Sequence, residues 1–207
     1  MINLILYLFL LLVFLLFLIF MSFYSLSLIY SSIKGSPYVA TKNKIMIDMF
    51  KQIKFIKGKK FLELGSGDGR ICRYVASKYG VYATGVDVNI LLVWWARFLT
   101  FLSFRVLRCH CDPDSVGRSN LSVNSVEKSF KVNFKTENIF NTDFREFDYL
   151  YIFLMPELIK DLEPKLKKEL KKGTIIISHG FPVKGYEKKL IKKVERKPFP
   201  TYYYRTK

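Results

Sequence analysis

The chain has 207 residues, of which 34 are lysine or arginine and 17 are aspartate or glutamate, giving a formal net charge of +17 at pH 7. This length allows one domain of ordinary size plus an appendage. The three cysteines are odd in number and two of them are one residue apart, which excludes a disulfide framework and is typical of a reducing compartment.

The first 33 residues form the appendage, because they contain no Asp, Glu, Lys, Arg or His. Residues 2–21 alone would make a helix of about 30 Å, the thickness of a hydrocarbon core. The alternative is a cleaved signal peptide, but no basic region precedes the apolar run, the run is too long, and no A-x-A site follows it. We therefore predict a retained transmembrane anchor over residues 1–33, with residues 34–207 as the domain.

The distribution of lysines around this segment predicts its orientation. Nothing but the amino terminus precedes the apolar run, whereas five lysines follow it within the next 21 residues: Lys34, Lys42, Lys44, Lys51 and Lys54. The positive-inside rule then places the domain on the cytoplasmic side of a single-pass membrane protein. The remaining basicity could serve nucleic acid or an anionic membrane surface, and beside an anchor we favour the membrane surface.

Hydrophobic periodicity predicts alternating helices and strands after the anchor. Thr41 is expected to cap a helix that runs to about Phe55, and further helices are expected at 67–79, at 89–104 and from residue 158, where Pro164 should break or restart the helix. Strands are predicted at 59–64, 81–88, 131–136, 147–156 and 173–180, followed by an antiparallel pair at the sheet edge around Pro198 and Pro200. This order predicts a doubly wound, mainly parallel, seven-stranded α/β sheet.

Two stretches stand apart from this alternation. The helix at 89–104 is apolar nearly all round, with both tryptophans of the chain, so it should pack heavily or touch lipid. Residues 109–129 are rich in Ser, Asn, Asp and Gly and are predicted to be a loop insertion. The sequence CHCD at 109–112 lacks a second ligand pair, so we expect a chance cluster and no metal.

The stretch FLELGSGDGR, residues 61–70, carries the main functional signal. Gly65, Gly67 and Gly69 follow a predicted strand, so a ligand can approach their backbone, and the next helix points its positive end at the same place. Asp87 ends the second strand, where a carboxylate can accept both hydroxyls of a ribose. The alternative is that Asp87 is an ordinary acid at a strand end.

The loop chemistry narrows the choice of nucleotide. No Walker ending follows the glycines, and their spacing is G-x-G-x-G rather than the G-x-G-x-x-G of dinucleotide sites. Glu63 and Asp68 place negative charge beside the loop, which would repel a pyrophosphate but suit a cationic ligand with an amino-acid end. We therefore predict S-adenosylmethionine as the cofactor.

The sequence ELGSGDGR followed by GVDVN resembles motifs I and II of class I S-adenosylmethionine-dependent methyltransferases. From about residue 37 onward, the order PYVATK, FLELGSGDGRI, GVDVNILLVWWAR and ISHGFPV resembles the membrane-anchored lysine methyltransferases of the ATP synthase c subunit and the adenine nucleotide translocase, together with their microbial relatives. The resemblance implies a Rossmann-like methyltransferase sheet and a protein substrate in or at the membrane.

The resemblance also implies the site residues. Asp87, Val88 and Asn89 stand where the family has Glu-Leu-Asn, which keeps the carboxylate, and Asn138 stands where an acid near the adenine is expected. The residues assigned to the cofactor are Glu63, Gly65, Ser66, Gly67, Asp68, Gly69, Arg70, Asp87, Val88, Asn89, Asn138 and Ile139. The residues assigned to the substrate pocket are Tyr38, Thr41, Phe153, Leu154, Met155 and Pro156.

A lysine nucleophile must be neutral, and an apolar slot favours the neutral amine by desolvation. Glu157 is the nearest candidate to orient the amine or accept a proton, although it could simply be an acid in the first turn of a helix. Phe153 and Met155 could equally be ordinary core residues.

The leading prediction is therefore a membrane-anchored protein-lysine methyltransferase. A methyltransferase of a small molecule or lipid at the membrane is the first alternative, and a non-catalytic protein that binds S-adenosylmethionine is another. A nucleic-acid methyltransferase would fit the charge, but the amino-methylating type resembles (D/N)-P-P-(Y/F) after the fourth strand, where this chain has LMPE. We therefore do not expect a nucleic-acid partner.

Overall fold

The computed structural model describes residues 2–33, 41–109 and 132–207, so Tyr38 and nearly all of the predicted 109–129 insertion lie outside the described residues. Five α-helices are described: α1 (Ile2–Ile33), α2 (Asn43–Phe50), α3 (Arg70–Tyr79), α4 (Ile90–Cys109) and α5 (Pro156–Glu169). Seven strands are described: β1 (Lys60–Leu64), β2 (Tyr82–Asp87), β3 (Val132–Thr136), β4 (Tyr149–Ile152), β5 (Ile175–His179), β6 (Leu190–Val194) and β7 (Thr201–Arg205).

All seven strands join one sheet in the order β3-β2-β1-β4-β5-β7-β6. The first five pair in parallel, and β7 runs antiparallel between β5 and β6. The predicted doubly wound sheet with an antiparallel C-terminal hairpin is confirmed. Strand order reverses at β1, so the carboxyl ends of β1, β2 and β4 surround the place where ligands bind in such sheets.

The sheet separates two apolar cores. On one face, Met49 and Phe50 of α2, together with Val75 of α3 and Val93 of α4, pack against strand residues such as Phe61. On the other face, α5 packs against the strands through a buried stripe of Ile159, Leu162 and Leu166. These two layers hold the carboxyl ends of the strands in fixed register.

Helix α1 is long and apolar enough to cross a membrane. Its segment Leu4–Leu26 has 23 residues and a mean hydropathy of 3.3, and none of it is buried against the rest of the chain. By length and composition a signal sequence at the N-terminus would satisfy the same criterion.

The prediction that Thr41 caps a helix reaching Phe55 is wrong. Lys42 occupies the N-cap position without a side-chain hydrogen bond, and α2 ends at Phe50. The chain then turns through bonds from Gln52 N–H and Ile53 N–H to the carbonyls three residues earlier. This turn brings the ring of Phe55 onto Tyr79 and Tyr149, with centroids 4.6 Å apart in each pair, which a continuing helix would not do.

The prediction that Pro164 breaks or restarts the helix after β4 is also wrong. Helix α5 is continuous from Pro156 to Glu169, with Pro164 inside it. Proline removes the hydrogen bond to the carbonyl of Lys160, but both residues are exposed, so water can bind that carbonyl. Burial of the apolar stripe on the opposite face keeps the helix intact.

Candidate functional site

The glycine loop joins β1 to α3 and is tied to the end of β2. The N–H groups of Gly65 and Ser66 both donate to the carbonyl of Val86, at 2.8 and 3.0 Å, and Gly69 N–H donates to Ser66 O at 2.8 Å. Gly65, Gly67 and Gly69 have φ angles of +73°, +51° and +71°. Positive φ angles favour glycine and are incompatible with a right-handed helix. The helix therefore begins at Arg70 rather than at the predicted residue 67.

Gly69 is required by internal packing as well as by its φ angle. A Cβ atom at Gly69 would lie 2.2 Å from Cζ of Phe134, and one at Gly85 would lie 2.7 Å from Cδ1 of the same ring. The buried Phe134 of β3 therefore supports the loop from below. Sequence reasoning assigned the loop glycines to ligand approach and missed this contact, for which Gly85 inside β2 was the available signal.

Asp87 lies at the carboxyl end of β2, beside the loop. Its Oδ2 accepts a hydrogen bond from Gly67 N–H at 2.8 Å, and its Oδ1 accepts one from Asn89 N–H, also at 2.8 Å. Burial raises the pKa of this carboxyl, although the backbone N–H groups oppose the shift. Each carboxylate oxygen has a second acceptor position, so two ribose hydroxyls remain within the bonding capacity of the group.

Glu63 lies beneath the loop rather than on its surface. Its Oε2 accepts a hydrogen bond from Cys72 N–H at 3.2 Å, at the start of α3, and only 4% of the residue is exposed. Burial raises the pKa of Glu63 to about 8. A largely protonated carboxyl supplies little of the negative charge on which the cofactor prediction relied, unless an approaching ammonium lowers the pKa again.

Asp68 is paired within the loop. Its carboxylate accepts hydrogen bonds from Nε and Nη2 of Arg70, at 3.0 and 2.8 Å. Burial alone would raise the pKa of Asp68, but the hydrogen bonds and charge of Arg70 outweigh it, so the pKa is lowered. The loop is consequently less negative than its sequence implies, and the charge argument against a pyrophosphate is weaker than expected.

The other residues assigned to the cofactor follow the carboxyl ends of β2 and β3. Asn89 is buried and its Oδ1 accepts hydrogen bonds from the N–H groups of Leu91 and Leu92, so it caps α4. Asn138 follows β3 at the same edge of the sheet, exposed, and its Oδ1 accepts a hydrogen bond from Phe140 N–H. The neighbouring residues assigned to the cofactor are half-buried Val88 and buried Ile139.

Ser66 is buried, and its hydroxyl has no hydrogen-bond partner among the described residues. Because that hydroxyl is also inaccessible, any contact of Ser66 with the cofactor in this conformation comes from its backbone.

The predicted substrate residues divide into buried and exposed groups. Leu154 is buried, with Cδ2 3.2 Å from the Cβ position of Gly65, so it packs against the loop. Thr41 is buried too, and its carbonyl accepts a hydrogen bond from Nη1 of Arg70 at 3.3 Å. Met155 and Pro156 are exposed at the start of α5, and Phe153 is half-buried.

Phe153 belongs to an aromatic cluster at this edge, whose other members were not assigned from the sequence. The ring of Phe153 lies 4.7 Å from His179 and 5.6 Å from Phe199. Nδ1 of His179 is 3.0 Å from Oγ1 of Thr201, and burial, together with the charge of Arg196, lowers the pKa of His179 to about 4. A neutral aromatic wall therefore lines the carboxyl ends of β4 and β5.

Glu157 is exposed in the first turn of α5, five residues after the end of β4. This position is compatible with both roles considered for it. Within residues 2–33, 41–109 and 132–207, no three His, Cys, Asp or Glu side chains lie close enough to hold a metal ion. Most of the CHCD stretch falls outside those residues.

Comparison with known proteins places this chain in a family. The family profile described as the ANTKMT methyltransferase domain matches residues 101–190. A protein-lysine N-methyltransferase of Saccharolobus islandicus is 30% identical over 160 residues, which cover 77% of this chain and 85% of that protein.

Two mouse proteins are more distant. The lysine N-methyltransferase named for the ATP synthase c subunit is 27% identical over 146 residues, covering 70% of this chain and 49% of the mouse protein. The adenine nucleotide translocase lysine N-methyltransferase is 26% identical over 152 residues, covering 73% and 56%. The chain thus spans about half the length of the animal relatives.

Solved structures share the fold. An RNA methyltransferase from Salinibacter ruber in complex with S-adenosylhomocysteine superposes with a TM-score of 0.62 at 22% identity, covering 81% of this chain and 93% of that chain. A mutant of MtNAS in complex with S-adenosylmethionine has a TM-score of 0.56 at 12% identity, covering 79% and 61%. At these identities the likeness shows the fold alone.

The match to the archaeal enzyme extends over most of both chains, and it agrees with the profile match and with the methyltransferase order of the sheet. The chain therefore belongs to the ANTKMT family of class I methyltransferases, whose cofactor is S-adenosylmethionine.

Proposed function

We propose that this chain is a membrane-anchored methyltransferase that modifies a lysine of a protein in or next to the membrane. The similarity to the lysine methyltransferase of Saccharolobus islandicus carries this proposal. The two mouse relatives are named for substrates that are membrane proteins, subunit c of ATP synthase and the adenine nucleotide translocase.

Residues 1–33 are the anchor and residues 34–207 the methyltransferase domain in this proposal. The apolar segment Leu4–Leu26, none of which is buried, supports the anchor, because a soluble protein would leave this whole stretch in contact with water. The basic residues that follow this segment support a cytoplasmic domain. The target lysine would then lie within reach of a domain held close to the bilayer.

The described residues have separate tasks in this reaction. Asp87 holds the ribose, and the backbone of the glycine loop accommodates the rest of the cofactor, which supplies an electrophilic methyl group when bound. Leu154 and the rings of Phe153 and His179 keep water from the place where the amine enters. Since His179 is neutral there, it does not repel the incoming lysine.

Glu157 orients the target amine and takes up its proton. Substitution Glu157→Gln should lower kcat at least tenfold and leave the affinity for S-adenosylmethionine unchanged, because the residue is outside the glycine loop. Asp161→Asn is the matched control, since Asp161 is exposed one turn further along α5. Equal kcat values for the two variants would leave Glu157 as an ordinary acid of the first helical turn.

The substrate class can be identified by label transfer. The full chain is incubated with membranes of its source organism and with S-adenosylmethionine labelled on the methyl group. We expect label in an integral membrane protein and methyl-lysine after acid hydrolysis. Label confined to the lipid extract, to nucleic acid or to soluble proteins would refute the proposal, and Asp87→Ala should reduce the signal at limiting S-adenosylmethionine if this chain produces it.

Extraction with alkaline carbonate tests the anchor. The full chain should remain in the membrane fraction, because a spanning helix is not removed by loss of electrostatic contacts. Its N-terminal residues should also still be present in the membrane-bound protein. Recovery of a soluble chain that begins near residue 31 would identify the segment as a cleaved signal peptide.

A further inference from the structure

Helix α4 has two opposite apolar faces, of which only one is buried. Val93 and Ala96 are fully buried against the sheet, and Thr100 continues the same stripe. On the other side, Trp94 is 64% exposed and Phe98 is 49% exposed. At 3.6 residues per turn, the exposed apolar side chains form one continuous stripe along the helix. Its members are Leu91, Trp94, Trp95, Phe98, Phe101 and Leu102.

We define this stripe as the α4 outer face. An amphipathic surface helix normally carries charged and polar residues on the side away from the core. Here Arg97 is the one charged residue among the first 14 residues of α4, and the whole helix contains three arginines and no acidic residue. The face is therefore both apolar and free of negative charge, which is uncommon for a surface in contact with water.

The segment that follows α4 is a poor candidate to cover this face. Residues 110–131 are mainly Ser, Asn, Asp, Lys and other polar types, with five apolar side chains other than cysteine: Val116, Leu121, Val123, Val126 and Phe130. A polar segment that covered two tryptophans and two phenylalanines would have to desolvate its own backbone and side chains.

We propose that the α4 outer face inserts into the interfacial layer of the membrane that α1 spans. This proposal rests on the proposed anchor, which brings the domain within reach of a bilayer. Tryptophan and phenylalanine beside arginine, with no acid, match the chemistry of the layer between lipid headgroups and acyl chains. The net charge of +17 adds attraction to anionic lipids.

This contact would orient the catalytic site. Helix α4 begins at Ile90, three residues after Asp87, so its first turn lies at the carboxyl edge of the sheet. With the α4 outer face in the interfacial layer, the carboxyl edge of the sheet is held at the depth of the lipid headgroups. A lysine in a short loop of an integral membrane protein is found at the same depth.

The two tryptophans provide a direct test, because they are the only ones in the chain and both belong to the α4 outer face. The full chain is reconstituted into vesicles that contain anionic lipid, with bromine atoms placed on the acyl chains either near the headgroup or near the methyl end. We expect shallow bromines to quench the tryptophan emission at least twofold more than deep ones, and soluble iodide to quench it little.

Two variants serve as test and control. Phe98→Glu places a charge in the middle of the face and should restore quenching by iodide while the chain remains resistant to carbonate. Ile56→Glu changes an equally exposed apolar residue elsewhere and should leave the quenching pattern of the parent.

The outcomes separate this proposal from the anchor. Emission that iodide quenches and bromolipids do not, in a carbonate-resistant chain, would overturn the α4 contact and leave the anchor standing. Emission shielded from both quenchers would also overturn it, in favour of a second copy or residues 110–131 as the cover. Bromolipid quenching in a chain that carbonate removes would support the contact and refute the anchor.

Discussion

Substitution of Gly69 by alanine should destabilise the fold through one specific contact. The φ angle of Gly69 is +71°, and an added Cβ would lie 2.2 and 2.4 Å from Cζ and Cε1 of Phe134, and 3.1 Å from Cβ of Ala96. Neither neighbour can move freely, because Phe134 is 2% exposed and Ala96 is fully buried. The methyl group therefore forces either the ring or the loop to shift.

Two terms contribute to the expected loss. The left-handed conformation costs an alanine about 1–2 kcal/mol, and overpacking a well-filled core costs about 1–3 kcal/mol. The free energy of unfolding should fall by about 2–5 kcal/mol, a large share of the ~5–15 kcal/mol of a typical domain. The glycine loop should shift as well, so the affinity for S-adenosylmethionine should fall in the same variant.

Urea denaturation of the full chain in detergent measures this loss. The control is Gly173→Ala, where φ is +86° and no atom lies within 4 Å of the Cβ position, so only the backbone term applies. The variant Phe134→Leu should recover about 1–3 kcal/mol when combined with Gly69→Ala, because the shorter side chain lacks the clashing atoms. Equal losses for Gly69→Ala and Gly173→Ala, or strict additivity in the double variant, would refute the packing argument.

Three further outcomes are expected. Asp87→Ala should weaken binding of S-adenosylmethionine in calorimetry by about 1.5–3 kcal/mol, whereas Asp143→Ala, at an exposed turn, should bind like the parent. Because Glu63 has a pKa of about 8 when folded against a usual value of 4.5, the folded chain keeps a proton that the unfolded chain loses. As the pH rises from about 5 to 7.5, the free energy of unfolding should therefore fall by about 1 kcal/mol per pH unit because of this residue. Glu63→Gln should flatten that slope. Pro164→Ala should raise the thermal midpoint by restoring a helical hydrogen bond, whereas Pro156→Ala, at the first turn, should change it little.

Much of the architecture was predictable from local patterns. Alternating apolar runs and turn residues indicated all seven strands, and the glycines after β1 together with Asp87 at the end of β2 indicated the edge of the candidate site. These signals are local, since side-chain period and backbone freedom depend on a few neighbouring residues. The resemblance of the motifs then identified the family correctly.

The tertiary structure decided the properties that depend on distant neighbours. It placed the ring of Phe134 beneath Gly69, and it buried Glu63 so that its pKa rises. It kept α5 continuous through Pro164 and left one apolar face of α4 exposed. A sequence shows which residues are apolar or ionisable, but packing between separate elements determines which of them lose contact with water. The loss of water sets the charge of a buried acid such as Glu63. The same packing decides which face of a helix remains exposed and available to a partner.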